Sequence, residues 1–484
     1  MRQQRKRYKR LALFMFSLFL ILAVYGAYSV LSYGNRWFAS SRNPRVRTQK
    51  ENVVAGDILD RNGIMLATTG KDGTRVYQAD VRDRSAVVHV LGDPQGQVAN
   101  GVETFQTGYL YGFQTSLDEM VVNLFQGRQR KGDTVQLTID AQLSRVICDA
   151  FSAAEKTKDR NGAAVVMNYE TGEVLSIVSL PGFDPENITS ETQADPGKPF
   201  WNRATQSVYP PGSTFKVVTT ASALQNLTEA EHLVYLCTGE LGVDDHAIHD
   251  FGLAHHGEIA LERAFTVSCN NVYAQVALEV GDSGLRKTAE GFGFNENFLF
   301  RDLVVENSSY PQTRDRTPYE VAASGFGQSA IVATPMHMCM VAGAVANRGV
   351  MMEPILLRHV ESPLGRERMN MKARTYRQAL KMGDAEILDR FMQNVVEHGT
   401  GSRAAVSGQT VCGKTGTADS TLDGEAVSYG WFIGYMKGDI PICVSVLVED
   451  IADGDGGGNT AAVIAGEIFR YAVKHPGRIL GNQE

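Results

Sequence analysis

The stretch YPPGSTFKVV, residues 209–218, decides both the fold class and the chemistry that this chain can perform. Pro-Pro-Gly cannot be helical, whereas the following residues can, so the sequence predicts a helix that begins at Ser213. At 3.6 residues per turn, Lys216 lies one turn further along the same face. A desolvated neutral lysine can deprotonate a serine hydroxyl, and a helix N-terminus favours the charge that develops on an attacked carbonyl. Alone, S-x-x-K is also typical of an exposed serine cap beside a solvated lysine.

Two further motifs favour a catalytic interpretation of the S-x-x-K pattern. The first is SCN at residues 268–270, an S-x-N sequence at a predicted break between two helical segments. The second is KTGT at residues 414–417, on a predicted strand where glycine lets a substrate backbone approach closely. Each motif taken singly resembles an ordinary polar turn. Their occurrence together, with Ser268 following Ser213 by 55 residues and Lys414 following Ser268 by 146, indicates one active site.

The regions on either side of these motifs predict an α+β fold. A hairpin is expected over residues 163–179, and its near-continuous apolar content predicts burial on both faces. Asp140 is expected to cap a helix that runs to about Glu155. A long helical middle is predicted over about 213–400. Three strands at 411–417, 430–436 and 442–448 and a final helix over 461–475 complete the pattern, so one sheet would be assembled from both ends.

The N-terminal region predicts a membrane anchor. Residues 1–10 contain six basic residues and no acid, and residues 11–33 form an uncharged run of 23 residues. That length can cross a hydrocarbon core about 30 Å thick, and it exceeds the apolar stretch of a cleaved signal peptide. The remainder carries 41 basic and 54 acidic residues, a net charge of −13. The basic end is therefore expected in the cytoplasm and the acidic bulk outside the cell.

Composition excludes several other classes. With 43% hydrophobic and 8% aromatic residues, the chain is not disordered, and six cysteines in 484 residues are too few for a disulfide scaffold. The basic tail leads directly into an apolar span, so it favours a membrane over nucleic acid. The predicted parts are a tail at 1–10, an anchor at 11–33, a small N-terminal domain with short alternating strands at 34–158, and a catalytic domain at 159–484.

The three motifs, in this order, are known from β-lactamases and penicillin-binding proteins, and the chain resembles a class B penicillin-binding protein of the compact penicillin-binding protein A type. The similarity extends over nearly the whole chain. It rests also on short segments that recur in class B proteins: residues 60–63, 89–92, 101–103, 137–140, 202–204, 325–328, 334–335, 347–349 and 399–401. Cys269 is unusual in the middle of an S-x-N motif.

This resemblance implies a penicilloyl-serine transferase fold, in which a five-stranded antiparallel sheet is flanked by helices and the site lies between them. It implies a peptidoglycan D,D-transpeptidase that releases D-Ala, binds stem peptides and β-lactams, and needs no metal or cofactor. The implied roles are nucleophile for Ser213, base for Lys216, proton relay for Ser268, peptide-amide contact for Asn270, positive potential for Lys414, carboxylate contact for Thr415, close substrate approach at Gly416, and oxyanion contact through the backbone N–H groups of Ser213 and Thr417. A membrane glycan polymerase of the shape, elongation, division and sporulation type is the implied partner.

Several alternatives remain at this stage. A D,D-carboxypeptidase would pass the same acyl-enzyme to water, and a serine β-lactamase shares the first and third motifs. A membrane-anchored scaffold with a relic site is the non-enzymatic alternative. The cluster of Asp and His residues at 244–256 suggests a metal site but is interpreted as a polar loop beside the cleft. Cys412 and Cys443 lie on strands expected to be neighbours, which would allow a disulfide.

Overall fold

The computed structural model describes residues 2–38, 53–113, 115, 119, 125, 130–313, 315–422 and 425–481. Its centre is a five-stranded antiparallel sheet with the order β15-β16-β17-β5-β6, so the first and last strands of the catalytic region pair with each other. The predicted α+β fold with one sheet built from both ends is therefore confirmed. These strands are β5 (Gly162–Asn168), β6 (Val174–Leu180), β15 (Val411–Leu422), β16 (Glu425–Met436) and β17 (Ile442–Val448).

Helices cover both faces of this sheet, which explains the continuous apolar strands. Val165 and Val166 are neighbours in β5 and both fully buried, yet they belong to separate cores on opposite faces. One face is packed by the helix that Asp140 caps and by the final helix. The other face is packed by two helices from the middle of the chain. The four helices are Ala141–Ala153 and Ala461–Lys474 on the first face, and Pro335–Ala346 and Met382–His398 on the second.

The middle of the chain is only partly helical. Strands interrupt the predicted run over 213–400, because several of its segments form small hairpins beside the cleft. The helices here are Lys216–Asn226, Leu261–Val267, Asn270–Gly291 and Pro318–Ser324. The strands are β7 (Val234–Cys237), β8 (Glu240–Val243), β9 (His246–His249), β10 (Gly257–Ala260), β11 (Val350–Met352), β12 (Leu357–Glu361), β13 (Glu367–Asn370) and β14 (Thr375–Gln378).

The N-terminal region forms a second sheet with the order β13-β12-β4-β1-β2-β3. Two of its strands, β12 and β13, come from the C-terminal half, so this sheet extends across the boundary predicted at residue 158. The Asp60 carboxylate accepts the N–H groups of Asn62 and Ile64, each at 2.8 Å, and stabilises the turn between β1 and β2. The remaining elements are β1 (Ile58–Leu59), β2 (Met65–Thr69), β3 (Arg75–Tyr77), β4 (Thr134–Leu137) and short helices at Val81–Ala86, Val88–Leu91, Val102–Phe105 and Thr107–Leu110.

A single long helix, Arg2–Phe38, precedes these domains. Its segment Lys6–Ser29 has a mean hydropathy of 2.2 and is long and apolar enough to cross a membrane. None of the side chains in its apolar window is buried by the rest of the described chain. The helix therefore has the length and composition of the predicted anchor.

Candidate active site

The predicted nucleophile lies on a tight turn that the surrounding elements hold in place. Residues Gly212–Phe215 form a 3₁₀ turn that leads directly into the helix starting at Lys216. The indole N–H of Trp431 on β16 donates to the Pro210 carbonyl at 3.0 Å, and the Thr214 hydroxyl donates to the Pro211 carbonyl at 2.6 Å. The rigid Pro-Pro segment is thus hydrogen-bonded to the central sheet through Pro210 and to the 3₁₀ turn through Pro211. Ser213 is half-buried at the floor of a cleft.

Two glycines allow the KTG strand to lie directly against this turn. Gly212 has a φ of +50°, and a Cβ at this position would lie 2.3 Å from the carbonyl oxygen of Thr417. A Cβ on Gly416 would lie 3.0 Å from the Thr214 Cγ2 atom. Side chains at either position would separate the strand from the serine. The third motif therefore meets the first at backbone contact distance.

Lys216 connects the first motif to the second. Its fully buried amine donates to the Ser268 carbonyl at 2.6 Å and to the Asn270 side-chain oxygen at 2.8 Å, and it lies 3.2 Å from the Ser268 hydroxyl. The Ser213 hydroxyl forms no hydrogen bond with any residue in the described part of the chain. The sequence placed Lys216 beside Ser213, and the structure adds that its polar contacts are made with the S-x-N motif. Catalytic hydrogen bonds are often long before substrate binds.

Ser268 is the point where the three motifs meet. It has a left-handed backbone conformation with a φ of +63° at the break between the helices Leu261–Val267 and Asn270–Gly291. This conformation is uncommon for serine and costs about 1 kcal/mol or more, so the surrounding contacts must hold it. The Lys414 amine donates to the Ser268 hydroxyl at 2.9 Å. One hydroxyl therefore bridges the two lysines.

Burial changes the protonation of both lysines. Removal from water lowers the pKa of Lys216 to about 7, although the negative charge of the nearby Asp250 carboxylate opposes the shift. Burial and then repulsion from Lys216 hold the pKa of Lys414 well below its usual range. Each amine lies within 3.2 Å of the same oxygen, so two ammonium groups there would repel by about 3 kcal/mol at an effective dielectric constant of 20. Both pKa shifts favour the neutral form of these amines in the free protein.

The cleft above these groups has a volume of about 990 Å³, and residues outside the three predicted motifs also line it. The glycine-rich loop at 453–459, which precedes the helix Ala461–Lys474, lines one wall. The Gly457 N–H donates to the Gly416 carbonyl at 3.2 Å, so this loop lies along the KTG strand. The Thr400 hydroxyl is hydrogen-bonded to the Thr415 hydroxyl. Thr400 belongs to the Gly-Thr-Gly segment at 399–401, which supported the resemblance. No local sequence signal predicted that Thr400 would contact Thr415.

The disulfide that the sequence would allow between Cys412 and Cys443 does not form. Cys412 on β15 and Cys443 on β17 both pair with Tyr435, which means that β16 separates them. Cys443 instead lies 3.7 Å from the sulfur of Cys339, and all six cysteines are free. The sequence identified the strands, but the strand order was needed to show which of them are neighbours.

The polar segment at 244–256 lies beside the cleft, as interpreted from the sequence, but it is more regular than a loop. This segment contains β9, and Asp250 and His256 turn inward to meet Cys237 and Cys269. One carboxylate oxygen of Asp250 accepts both thiols, each at 3.0 Å. The S-x-N motif is thus held from behind by a cluster that lies next to the cleft.

Comparison with known proteins agrees with this geometry. The family described as penicillin binding protein transpeptidase domain matches residues 162–470. The peptidoglycan D,D-transpeptidase PbpA of Mycolicibacterium smegmatis is 28% identical over 456 residues, covering 90% of this chain and 91% of that protein. The imipenem acyl-enzyme complex of penicillin-binding protein A from M. tuberculosis superposes with a TM-score of 0.78 and 26% identity, over 88% of this chain and all of that one. The D,D-transpeptidase domain from Eggerthella lenta has a TM-score of 0.74 and 28% identity, over 88% of this chain and 99% of that one.

The chain belongs to the penicillin-binding protein transpeptidase family. Within this family it is a class B peptidoglycan D,D-transpeptidase of the penicillin-binding protein A type, a serine enzyme that binds β-lactams. The predicted fold, family and enzyme class are confirmed. The roles of the individual site residues stay predictions.

Proposed function

We propose that this chain cross-links peptidoglycan stem peptides through an acyl-enzyme on Ser213. The observation that carries the proposal is the contact of two buried lysine amines, from Lys216 and Lys414, with the single hydroxyl of Ser268 at the base of the cleft. In the first step the Ser213 oxygen attacks the carbonyl carbon of the penultimate D-Ala. Its proton passes to neutral Lys216, and the terminal D-Ala leaves as an amine after it receives a proton.

The other motif residues would guide this reaction. Ser268 relays the proton from Lys216 toward the leaving amine, because its hydroxyl already contacts both lysines. Asn270 would hold a peptide amide of the donor. The terminal carboxylate of the substrate would bond to Thr415 and lie near Lys414, and its negative charge would raise the pKa of that lysine and restore its positive charge.

An oxyanion hole completes the proposed site. Thr417 lies at the point where β15 passes the nucleophile turn, so its N–H and that of Ser213 would both donate to the developing oxyanion. Loss of one such donor costs about 3–4 kcal/mol in the barrier of related reactions. In the second step an acceptor amine attacks the acyl carbon and Lys216 takes its proton. The ester bond to Ser213 then breaks, and the serine oxygen receives that proton back from Lys216.

The fate of the acyl-enzyme distinguishes the proposed activity from its alternatives. A carboxypeptidase would give the acyl group to water, and a β-lactamase would hydrolyse a penicilloyl ester rapidly. The similarity to proteins named D,D-transpeptidases supports transfer to an amine. The intact motifs argue against a relic scaffold.

We also propose that the catalytic domain lies outside the cytoplasm. The basic tail and the apolar helix support an orientation with the N-terminus inside, because basic residues are retained on the cytoplasmic side. The anchor and residues 51–150 would then contact a membrane glycan polymerase of the shape, elongation, division and sporulation type. Co-purification with such a polymerase tests this partner, and failure to co-purify together with normal growth after exchange of the anchor would contradict it.

The test of the main proposal uses a synthetic donor peptide ending in D-Ala-D-Ala and an amine acceptor such as a D-amino acid. The purified full chain should form the cross-linked product in excess over the hydrolysed one, and Ser213→Ala should form neither. Hydrolysis alone would identify a carboxypeptidase. Product formation by Ser213→Ala at the wild-type rate would remove this serine as the nucleophile.

A further inference from the structure

Behind the S-x-N motif, four metal-binding side chains converge on one point. The donor atoms of Cys237, Asp250, His256 and Cys269 all lie within 4.8 Å of one another. In the part of the chain that the structure describes, this is the only such group of three or more His, Cys, Asp and Glu side chains. The Asp250 Oδ2 atom lies 3.0 Å from both sulfurs and 3.2 Å from the His256 Nδ1 atom. The His256 Nδ1 atom lies 3.3 Å from the sulfur of Cys237.

These separations match the edges of a tetrahedral zinc site. Zinc lies about 2.3 Å from a thiolate and about 2.0–2.2 Å from an imidazole nitrogen or a carboxylate oxygen, which places neighbouring donors about 3.3–3.8 Å apart. The observed distances of 3.0–3.3 Å are slightly shorter, as expected for protonated thiols that hydrogen-bond directly to the carboxylate. A zinc ion would replace the two thiol protons and separate the donors by a few tenths of an ångström.

The surroundings of the cluster are those of a ligand set. The other carboxylate oxygen of Asp250 accepts the backbone N–H groups of Asn270 and Asn271, which leaves Oδ2 to point into the cluster. The N–H of Val272 donates to the sulfur of Cys269 at 3.3 Å, a contact that stabilises a thiolate. Such second contacts orient ligands and tune their affinity for a metal. Cys237, Asp250 and Cys269 are buried, while the His256 side chain is 22% exposed and gives an ion access from the cleft.

We propose that Cys237, Asp250, His256 and Cys269 bind one structural Zn²⁺ ion. Two thiolates select a thiophilic metal over Mg²⁺ or Ca²⁺, and four protein ligands leave no open position for substrate or water. The ligands come from β7, the end of β9, the segment before β10 and the S-x-N motif. The ion therefore fastens the small strands of residues 234–260 to the motif.

This placement gives the ion a positioning role in the proposed reaction, and that part of the inference rests on the proposed function. Cys269 lies between Ser268 and Asn270, which both contact Lys216. Ser268 has an unfavourable left-handed conformation, so a bond from the adjacent residue to a metal would help to hold it. The unusual cysteine in the middle of the motif thereby gains a physical reason.

The test measures zinc in the detergent-solubilised full chain by elemental mass spectrometry after dialysis. The wild type should retain about one zinc per chain. Cys237→Ser and His256→Ala should retain less than about a tenth under the same dialysis, since each removes one of four ligands. His255→Ala, which changes the exposed neighbouring histidine, and Cys148→Ser, which removes a cysteine outside the cluster, are the matched controls and should retain the full amount.

Two further measurements separate zinc loss from misfolding. Co²⁺ added to the zinc-free wild type should give the sulfur-to-metal absorption bands of a tetrahedral thiolate site, and these should be absent in Cys237→Ser. Acylation of Ser213 by a fluorescent penicillin should slow about tenfold when a chelator removes zinc and should recover on zinc addition. Zinc binding with unchanged acylation would refute the positioning role alone.

Three results would overturn the site itself. They are a wild type that binds neither zinc nor cobalt after incubation with either ion, variants that retain the wild-type amount of zinc, and a Cys237–Cys269 disulfide in the purified protein. None of these measurements depends on transpeptidation. The metal-site proposal can therefore be refuted while the proposed function holds, and the proposed function can be refuted while the metal site is confirmed.

Discussion

The pH dependence of acylation follows from the burial of Lys216. Its pKa is lowered to about 7, and only the neutral amine can take the proton of Ser213. The neutral fraction is then about one tenth at pH 6, about half at pH 7 and about nine tenths at pH 8. Because a lysine gains its base form as pH rises, the acylation rate should increase about fivefold from pH 6 to 7 and less than twofold from pH 7 to 8.

Replacement of the amine gives the matching perturbation. Lys216→Ala removes the proton acceptor, and general base catalysis typically contributes about 10²–10⁴ in rate, which corresponds to about 3–5 kcal/mol in the barrier. The Ala side chain also leaves the Ser268 carbonyl and the Asn270 side chain without their buried donor. We therefore expect acylation to fall at least 100-fold and its pH inflection near 7 to disappear.

The assay is the second-order rate of labelling by a fluorescent penicillin, measured from pH 5.5 to 9 on the full chain. Lys474→Ala, which changes an exposed lysine in the last turn of the final helix, is the control and should keep both the rate and the inflection. The reasoning is refuted if the wild-type rate does not change between pH 6 and 8. It is also refuted if Lys216→Ala keeps the same inflection, since another group would then be the base.

Two further substitutions test the geometry of the cleft, and a third tests a buried hydrogen bond that stabilises the fold. Gly416→Ala should slow acylation about tenfold or more, because its Cβ would lie 3.0 Å from Thr214 Cγ2 and separate the KTG strand from the serine. Gly383→Ala is the control: a Cβ there meets open space, so the acylation rate should not change in the same labelling assay. Ser268→Ala removes the hydroxyl between the two lysines and should lower the acylation rate about 100-fold at an unchanged melting temperature within a few degrees; an unaffected rate would exclude the proton relay. Tyr209→Phe deletes a 2.6 Å hydrogen bond from a buried hydroxyl to Glu449 and should lower the free energy of unfolding by about 1.5–3 kcal/mol. The melting temperature should fall accordingly, and an unchanged melting temperature would show that this hydrogen bond does not stabilise the fold.

Local signals predicted the elements that build the site. The Asp140 cap precedes a helix that ends at Ala153, two residues before the expected Glu155, and the fully buried hairpin of β5 and β6 appeared as a continuous apolar run. A break between two helical segments was predicted at the S-x-N motif, and the structure places Ser268 between two helices. These features depend on residues that are close in the sequence, so a local sequence pattern is enough to predict them.

Contacts between distant segments could not be predicted in the same way. β12 pairs with β4, which lies more than 200 residues away in the sequence, and β13 joins the same sheet by pairing with β12. No local pattern encodes the pairing of β12 with β4. The ligand cluster behind the S-x-N motif has the same origin, since β7 and the S-x-N motif must fold together before Cys237 meets Cys269. The glycine-rich loop at 453–459 became part of the cleft only because Gly457 packs against the KTG strand.

A time course of intact mass with penicillin, followed by peptide mapping, tests directly whether the three motifs converge on Ser213. The full chain should gain the mass of one penicillin, keep it over hours, and carry it on the peptide that contains Ser213. Ser213→Ala, with the same Lys216 and Lys414 contacts to Ser268, should gain no mass. A stable adduct on any other residue, or no adduct on the wild type, would contradict the convergence of the three motifs on this serine.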